Sequence, residues 1–283
     1  MKLSTGALLR YGLIVVLPAT GCQPSSVPTV TPLPSGNAAA SITATPTGHL
    51  AWGPEGCDGS FLDHRYFVIC YARDWRLARW TAYQLTPDDL SGNAPRSERF
   101  RPDQLLPPSE RAELSDYRNS GFDRGHLAPA DDFVRSPEAI DATFVLSNMV
   151  PQTPSLNRGR WRALESEVQS LATRSQTVWI FTGPIFMSPD SQPAGPEQYL
   201  AVDRIAIPTH LFKMVLRATP TGERQVFAFV IPNAAGLPGP SQRYLVSVDQ
   251  VERWTGVDFF SRLPDDEESV LESRAASRWP LPE

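Results

Sequence analysis

Five stretches of the chain are dense in β-branched and aromatic residues and read as strands: residues 66–71, 80–85, 178–181, 211–216 and 225–231. Residues 144–149 are a further strand candidate, directly after a short helix signal at Ser136-Pro137-Glu138. Helical spacing appears elsewhere. Trp161, Leu164, Val168 and Leu171 recur on one helical face and predict a helix opening at Ser155 or Leu156. Ser247-Val248-Asp249-Gln250 has the form of a capping box and predicts another helix start, and residues 265–275 predict a late, acidic helix. Strands and helices are mixed rather than alternating, and no internal repeat is visible. The pattern predicts an α+β fold, with a mixed or antiparallel central sheet flanked by helices.

The beginning of the chain follows a different pattern. Lys2 and Arg10 precede the apolar run Tyr11-Gly12-Leu13-Ile14-Val15-Val16-Leu17, which is too short to span a bilayer and reads as a secretory signal over residues 1–21. Ala19-Thr20-Gly21-Cys22 has the form of a lipobox, although leucine is usual where Ala19 stands. That form predicts an exported lipoprotein, anchored to a membrane of the cell envelope through Cys22; the alternative is plain secretion. Residues 22–49 are rich in Pro, Ser, Thr, Ala and Gly, and uncharged enough to predict a flexible tether. Residues 50–283 are left as the folded domain. With Cys22 as anchor, Cys57 and Cys70 remain as an even pair, consistent with a disulfide in an oxidising compartment; a buried thiol at Cys70 beside a free one at Cys57 is the alternative.

Composition changes this picture little. A hydrophobic share of 41% and a charged share of 20% are ordinary for a globular domain. The formal net charge of −5 argues against a protein that coats nucleic acid, but not against one with a local basic cleft. The histidines His49, His64, His126 and His210 are scattered and no Cys-x-x-Cys pair exists, so the spacing of a zinc site is missing.

Candidate chemistry is concentrated between residues 123 and 165. Asp123-Arg124-Gly125-His126 is followed by Asn148, Asn157 and Glu165. An imidazole can deprotonate water, a guanidinium can fork onto a phosphate oxygen, and an amide oxygen can hold a hard cation without neutralising it. Asn157 and Glu165 are eight residues apart, about 12 Å along an ideal helix. Two direct ligands to one ion cannot come from a regular helix at that spacing. Either Asn157 lies in an irregular first turn, or Glu165 reaches the ion through its water shell; the second is expected for Mg2+. Each residue also has a plainer reading: a hydrogen-bonded histidine, a capping asparagine, an exposed helical glutamate.

The run Asp123-Arg124-Gly125-His126-Leu127-Ala128-Pro129-Ala130-Asp131 resembles the signature of the DNA/RNA non-specific endonucleases with a ββα-metal site. Asn148-Met149-Val150-Pro151-Gln152, Asn157 with Trp161, Leu164 and Glu165, Phe181-Thr182-Gly183-Pro184 and Val246-Ser247-Val248-Asp249 follow in family order. The likeness spans about residues 60–266. It implies a Mg2+-dependent endonuclease, with Mn2+ as a substitute ion, that cleaves DNA and RNA to 5′-phosphate and 3′-hydroxyl ends; the N-terminal segment adds that it is exported. His126 is then the general base, Asn157 the direct metal ligand and Glu165 a ligand through water. Asn148 holds the geometry near His126, and Arg124 either touches phosphate or braces its loop. Asp123 is expected to be structural. A phosphate-clamping arginine belongs in the preceding loop, where Arg96 fits best and Arg99 or Arg101 are alternatives. An inhibitor protein is a further partner class. The contrasting hypothesis is a non-catalytic binding protein on a nuclease frame.

Overall fold

Strands that are apolar at nearly every position have two faces to bury, and here both sides of one sheet are covered. The computed structural model describes residues 48–280, apart from 97, 176, 202, 203 and 220–222. Its strands in chain order are β1 Ser60–Asp63, β2 Val68–Ala72, β3 Leu77–Leu85, β4 Asp123–His126, β5 Met149–Gln152, β6 Val178–Ile185, β7 Tyr199–Leu200, β8 Ile205–Ala206, β9 His210–Ala218, β10 Arg224–Pro232 and β11 Leu245–Val246. The helices are α1 Pro137–Ala142, α2 Arg162–Ser175, α3 Val248–Thr255 and α4 Asp265–Glu272.

A seven-stranded sheet runs in the order β1-β2-β3-β6-β9-β10-β11, antiparallel throughout. Its register explains its two cores. Tyr83, Ile180, Val215 and Phe227 form one row across the sheet, while Ala82, Phe181, Met214 and Ala228, one position along each strand, form the neighbouring row. The first row belongs to a core shared with Leu164, Val168 and Leu171 of α2. The second belongs to a separate core with Val248 and Val251 of α3 and with Phe259 and Phe260. Alternation of side chains along a strand therefore assigns each residue to one layer or the other.

The strand candidates at residues 66–71, 80–85, 178–181, 211–216 and 225–231 correspond to β2, β3, β6, β9 and β10. Ser247 caps α3 by accepting from the Gln250 backbone N–H at 3.2 Å, and Ser136 caps α1 in the same way from Ala139. The expected strand at residues 144–149 is corrected. Leu146–Asn148 is a 3-10 turn, and the strand begins only at Met149. A short apolar run does not separate a buried turn from a strand, because both are buried completely here.

Cys57 and Cys70 form a disulfide, which ties the segment before β1 to β2. The expected leader and nearly all of the tether lie outside the described residues. Gly48 and His49 belong to the fold rather than to the tether: the Trp179 indole donates to the Gly48 carbonyl, and the Gln84 N–H donates to His49 Nδ1.

Candidate active site

β4 and β5 form a separate two-stranded ribbon packed over the sheet, with Asp123 opposite Gln152 and His126 opposite Met149. Gly125 is required there, because a Cβ at this position would run into the Gln152 side chain. Just beyond the ribbon, Asn148 is fully buried and clamps the chain that leaves His126. Its Oδ1 accepts from Ala128 N–H at 3.0 Å, and its Nδ2 donates to the Ala128 and Thr143 carbonyls at 2.9 Å each. Asn148 therefore lies beneath the cleft, in the turn before β5 rather than at the end of a strand.

The His126 ring is edge-on to Phe144, with centroids 5.0 Å apart, and tilted against Phe100 at 5.8 Å. Nε2 is buried without a hydrogen-bond partner. Desolvation, then the Arg96 and Arg124 guanidinium charges, push the imidazole down to about 3. It is therefore neutral, and able to accept a proton, throughout the neutral pH range.

The segment Leu156–Trp161 that carries Asn157 is a π-helical turn leading into α2. Irregular turns of this kind re-aim side chains that a regular helix would direct elsewhere. The Asn157 amide nitrogen donates to Asp123 Oδ2 at 2.9 Å. Arg158 forks onto the same carboxylate, at 2.8 Å from Nε and 2.7 Å from Nη2. Burial opposes the charged form of Asp123, but the hydrogen bonds from Arg158 and Asn157 outweigh it and hold the carboxyl below its usual range. The turn is also pinned to the ribbon, since the Trp161 indole N–H donates to the His126 carbonyl at 3.3 Å.

Glu165, in the first turn of α2, has a buried Oε1 with no hydrogen-bond partner. Burial raises its pKa; Lys213 opposes the rise, and Asp132 and Asp131 add to it. Lys213 is only 1% exposed in the middle of β9, with its ammonium 5.1 Å from the Trp161 ring centroid. Asp132 is held by Tyr83 and Gln169 at 2.8 Å each. Burial lowers the Lys213 pKa while Glu165 and Asp132 oppose the fall, so this amine and the carboxyls beneath the cleft set one another's charge.

These elements enclose a cleft of about 550 Å³ lined by His126, Asn157, Glu165, Arg96, Arg124 and Arg158, among others. Arg96 donates to Asp131 at 2.9 Å at its rim. Arg99 and Arg101 do not line it; both face Asp141, at 3.6 and 3.0 Å. Arg124 also reaches the cleft, with its guanidinium 4.1 Å from the Phe100 ring centroid. Among the residues that can hold a metal, Asn157 engages Asp123 through Nδ2, which leaves Oδ1 for a cation, and Glu165 has a buried Oε1 with no partner among the described residues. An amide oxygen and a carboxylate oxygen are the donors a hard divalent cation takes.

Residues 52–266 match the family described as DNA/RNA non-specific endonuclease. The chain belongs to this family. It is an endonuclease. Human mitochondrial Endonuclease G is 39% identical over 68% of this chain and 67% of its own length. Nuclease C1 of Cunninghamella echinulata var. echinulata is 37% identical over 76% of this chain and 88% of its own. The Mitochondrial nuclease of Saccharomyces cerevisiae is 33% identical over 82% of this chain and 74% of its own. The crystal structure of the EndoG/EndoGI complex superposes with a TM-score of 0.72 at 28% identity, covering 80% of this chain and 96% of the matched one. These findings overturn the expected location. The human and yeast relatives are named mitochondrial, not envelope lipoproteins, and the reading of an exported, lipid-anchored nuclease is withdrawn.

The sequence places His126, Asn148 and Asn157 in one cleft; His126 and Asn157 line it, with Glu165, Arg96 and Arg124, whereas Asn148 is buried beneath it. Sequence reasoning missed Lys213 and the functional side of Asp123. A lysine inside the apolar run Leu211-Phe212-Lys213-Met214-Val215-Leu216 was a visible signal, because an unpaired ammonium is not buried without acidic partners. Asp132, Tyr83 and Gln169 carried no such signal, since only the fold brings them together.

Proposed function

We propose that this endonuclease hydrolyses phosphodiester bonds with Mg2+, or with Mn2+ in its place, leaving 5′-phosphate and 3′-hydroxyl ends. The observation that carries the reading is a neutral His126 without a protein hydrogen bond, sharing a cleft with an Asn157 whose amide nitrogen is engaged by Asp123. His126 takes a proton from water as the water oxygen attacks phosphorus in line; the P–O3′ bond breaks, and O3′ takes a proton from solvent water to leave as the 3′-hydroxyl. Asn157 Oδ1 would hold the cation directly, and Glu165 would reach it through water. When bound, the cation offsets charge on the phosphate and the departing oxygen. Arg96 and Arg124 bind the phosphate and orient it. Contacts to the backbone rather than to base edges account for action on both DNA and RNA.

The set His126, Asn157 and Glu165, together with family membership, favours the enzyme over a binding module. The EndoG/EndoGI complex, in which EndoG is inhibited, supports an inhibitor protein as a partner class. The test is product analysis across divalent ions. Nicks made with Mg2+ or Mn2+ are expected to be sealed directly by DNA ligase, which needs a 5′-phosphate and a 3′-hydroxyl. Nicks that require prior phosphatase and kinase treatment would refute the proposed ends.

A further inference from the structure

On the face of the sheet opposite α2, three carboxylates converge where α3 meets α4. Asp249 and Glu252 stand three residues apart on α3 and share a helix face, and Glu272 is the last residue of α4. One carboxylate oxygen from each lies within 4.8 Å of the other two. Glu272 is only 6% exposed, and its Oε1 is buried with no hydrogen-bond partner. Glu252 has one Oε1 bond, accepted from the Phe259 N–H at 2.8 Å. Among the described residues no ion pair joins any of the three to a basic side chain. Asp258 and Glu268 add further negative charge nearby.

Like charges at this separation repel one another, and a buried carboxylate oxygen without a donor is costly. A hard cation relieves both. The ligand set favours Ca2+, which takes carboxylate oxygens in a flexible geometry, over Mg2+, which dehydrates reluctantly and keeps most of its waters. We propose that Asp249, Glu252 and Glu272 form a second cation site that takes Ca2+ and clamps α4 onto α3. Water completes the coordination on the exposed Asp249 side. The site is separate from the nuclease cleft, and its role is to hold the C-terminal helix in place.

The test uses the full chain carrying Asn157→Ala, which removes the direct ligand of the cleft. Ca2+ at a hundredfold excess over its Kd is expected to raise Tm by about 5–10 °C relative to EDTA. Titration calorimetry is expected to give one Ca2+ per chain. Adding Glu272→Gln should abolish both effects, yet leave Tm in EDTA at or above the parent value, because the amide brings no charge to the acidic cluster. Should Glu272→Gln impair folding, the exposed Asp249→Asn serves instead and should weaken Ca2+ binding at least about tenfold. A parent whose Tm ignores Ca2+, or carboxylate variants that bind Ca2+ as the parent does, would overturn the proposal.

Discussion

The Asn157 amide nitrogen donates to Asp123 Oδ2 at 2.9 Å, and this bond fixes which end of the amide is left for the cleft. An asparagine presents either oxygen or nitrogen depending on its partner, and an ionised carboxylate accepts only from the nitrogen. Asp123 is itself held ionised by the Arg158 fork. The first residue of the Asp-Arg-Gly-His run thereby acts on a side chain 34 positions further along.

Asp123→Ala removes that constraint. The Mg2+ concentration for half-maximal cleavage is expected to rise about 10–100-fold, with much of the rate recovered at high Mg2+. Asn157→Ala should not recover. A Mg2+ titration of plasmid cleavage for both variants checks this, and equal recovery of the two would contradict the assigned roles.

Lys213 balances the acidic groups beneath the cleft. Lys213→Met is expected to lower stability by about 3 kcal/mol, since the buried carboxyls lose their cation. Glu165→Gln in the same chain should restore part of the loss. Urea unfolding of the two single variants and the double variant measures the coupling.

Arg96 and Arg99 should differ, because only the first lines the cleft. Arg96→Ala is expected to raise KM about tenfold, the worth of one charge-assisted hydrogen bond. Arg99→Ala should stay within about twofold. Kinetics on a short duplex distinguish them, and the Arg96→Ala effect should shrink at high salt.

Stability has a predictable pH dependence. Burial, with acidic neighbours adding to it, pushes Glu252 up to about 7 and Glu272 up to about 8. The folded chain therefore binds more protons than the unfolded chain between the ordinary glutamate range and about pH 8, so stability falls as pH rises there. The His126 shift has the opposite sign, but it acts only between about 3 and the ordinary histidine value. Above pH 7 Glu272 and Glu165, both pushed up to about 8, carry the fall, and the lowered Lys213 opposes it. In EDTA, Tm should fall from pH 7 to pH 8, and Glu272→Gln should flatten that slope.

Most of the sheet was legible because its central strands are continuous apolar runs, buried on both faces by α2 and α3. The short edge strands were not: β1, Ser60–Asp63, and β11, Leu245–Val246, are too brief to show a period. His126, Asn157 and Glu165 were legible as residues. Their geometry was less so, because the Leu156–Trp161 segment has the composition of an ordinary helix start and its π-helical hydrogen bonding leaves no mark in the sequence. The Asp132, Tyr83 and Gln169 contacts join separate elements, which no local pattern reports.

A base at His126 has one direct consequence for catalysis. Supercoiled plasmid should be incubated with the wild type and with His126→Ala, in Mg2+ and in EDTA, after circular dichroism has shown both to be folded. Nicking by the wild type is expected only when Mg2+ is present, with a rate for His126→Ala at least about a hundredfold lower. A folded His126→Ala variant that nicks as fast as the wild type would contradict that role.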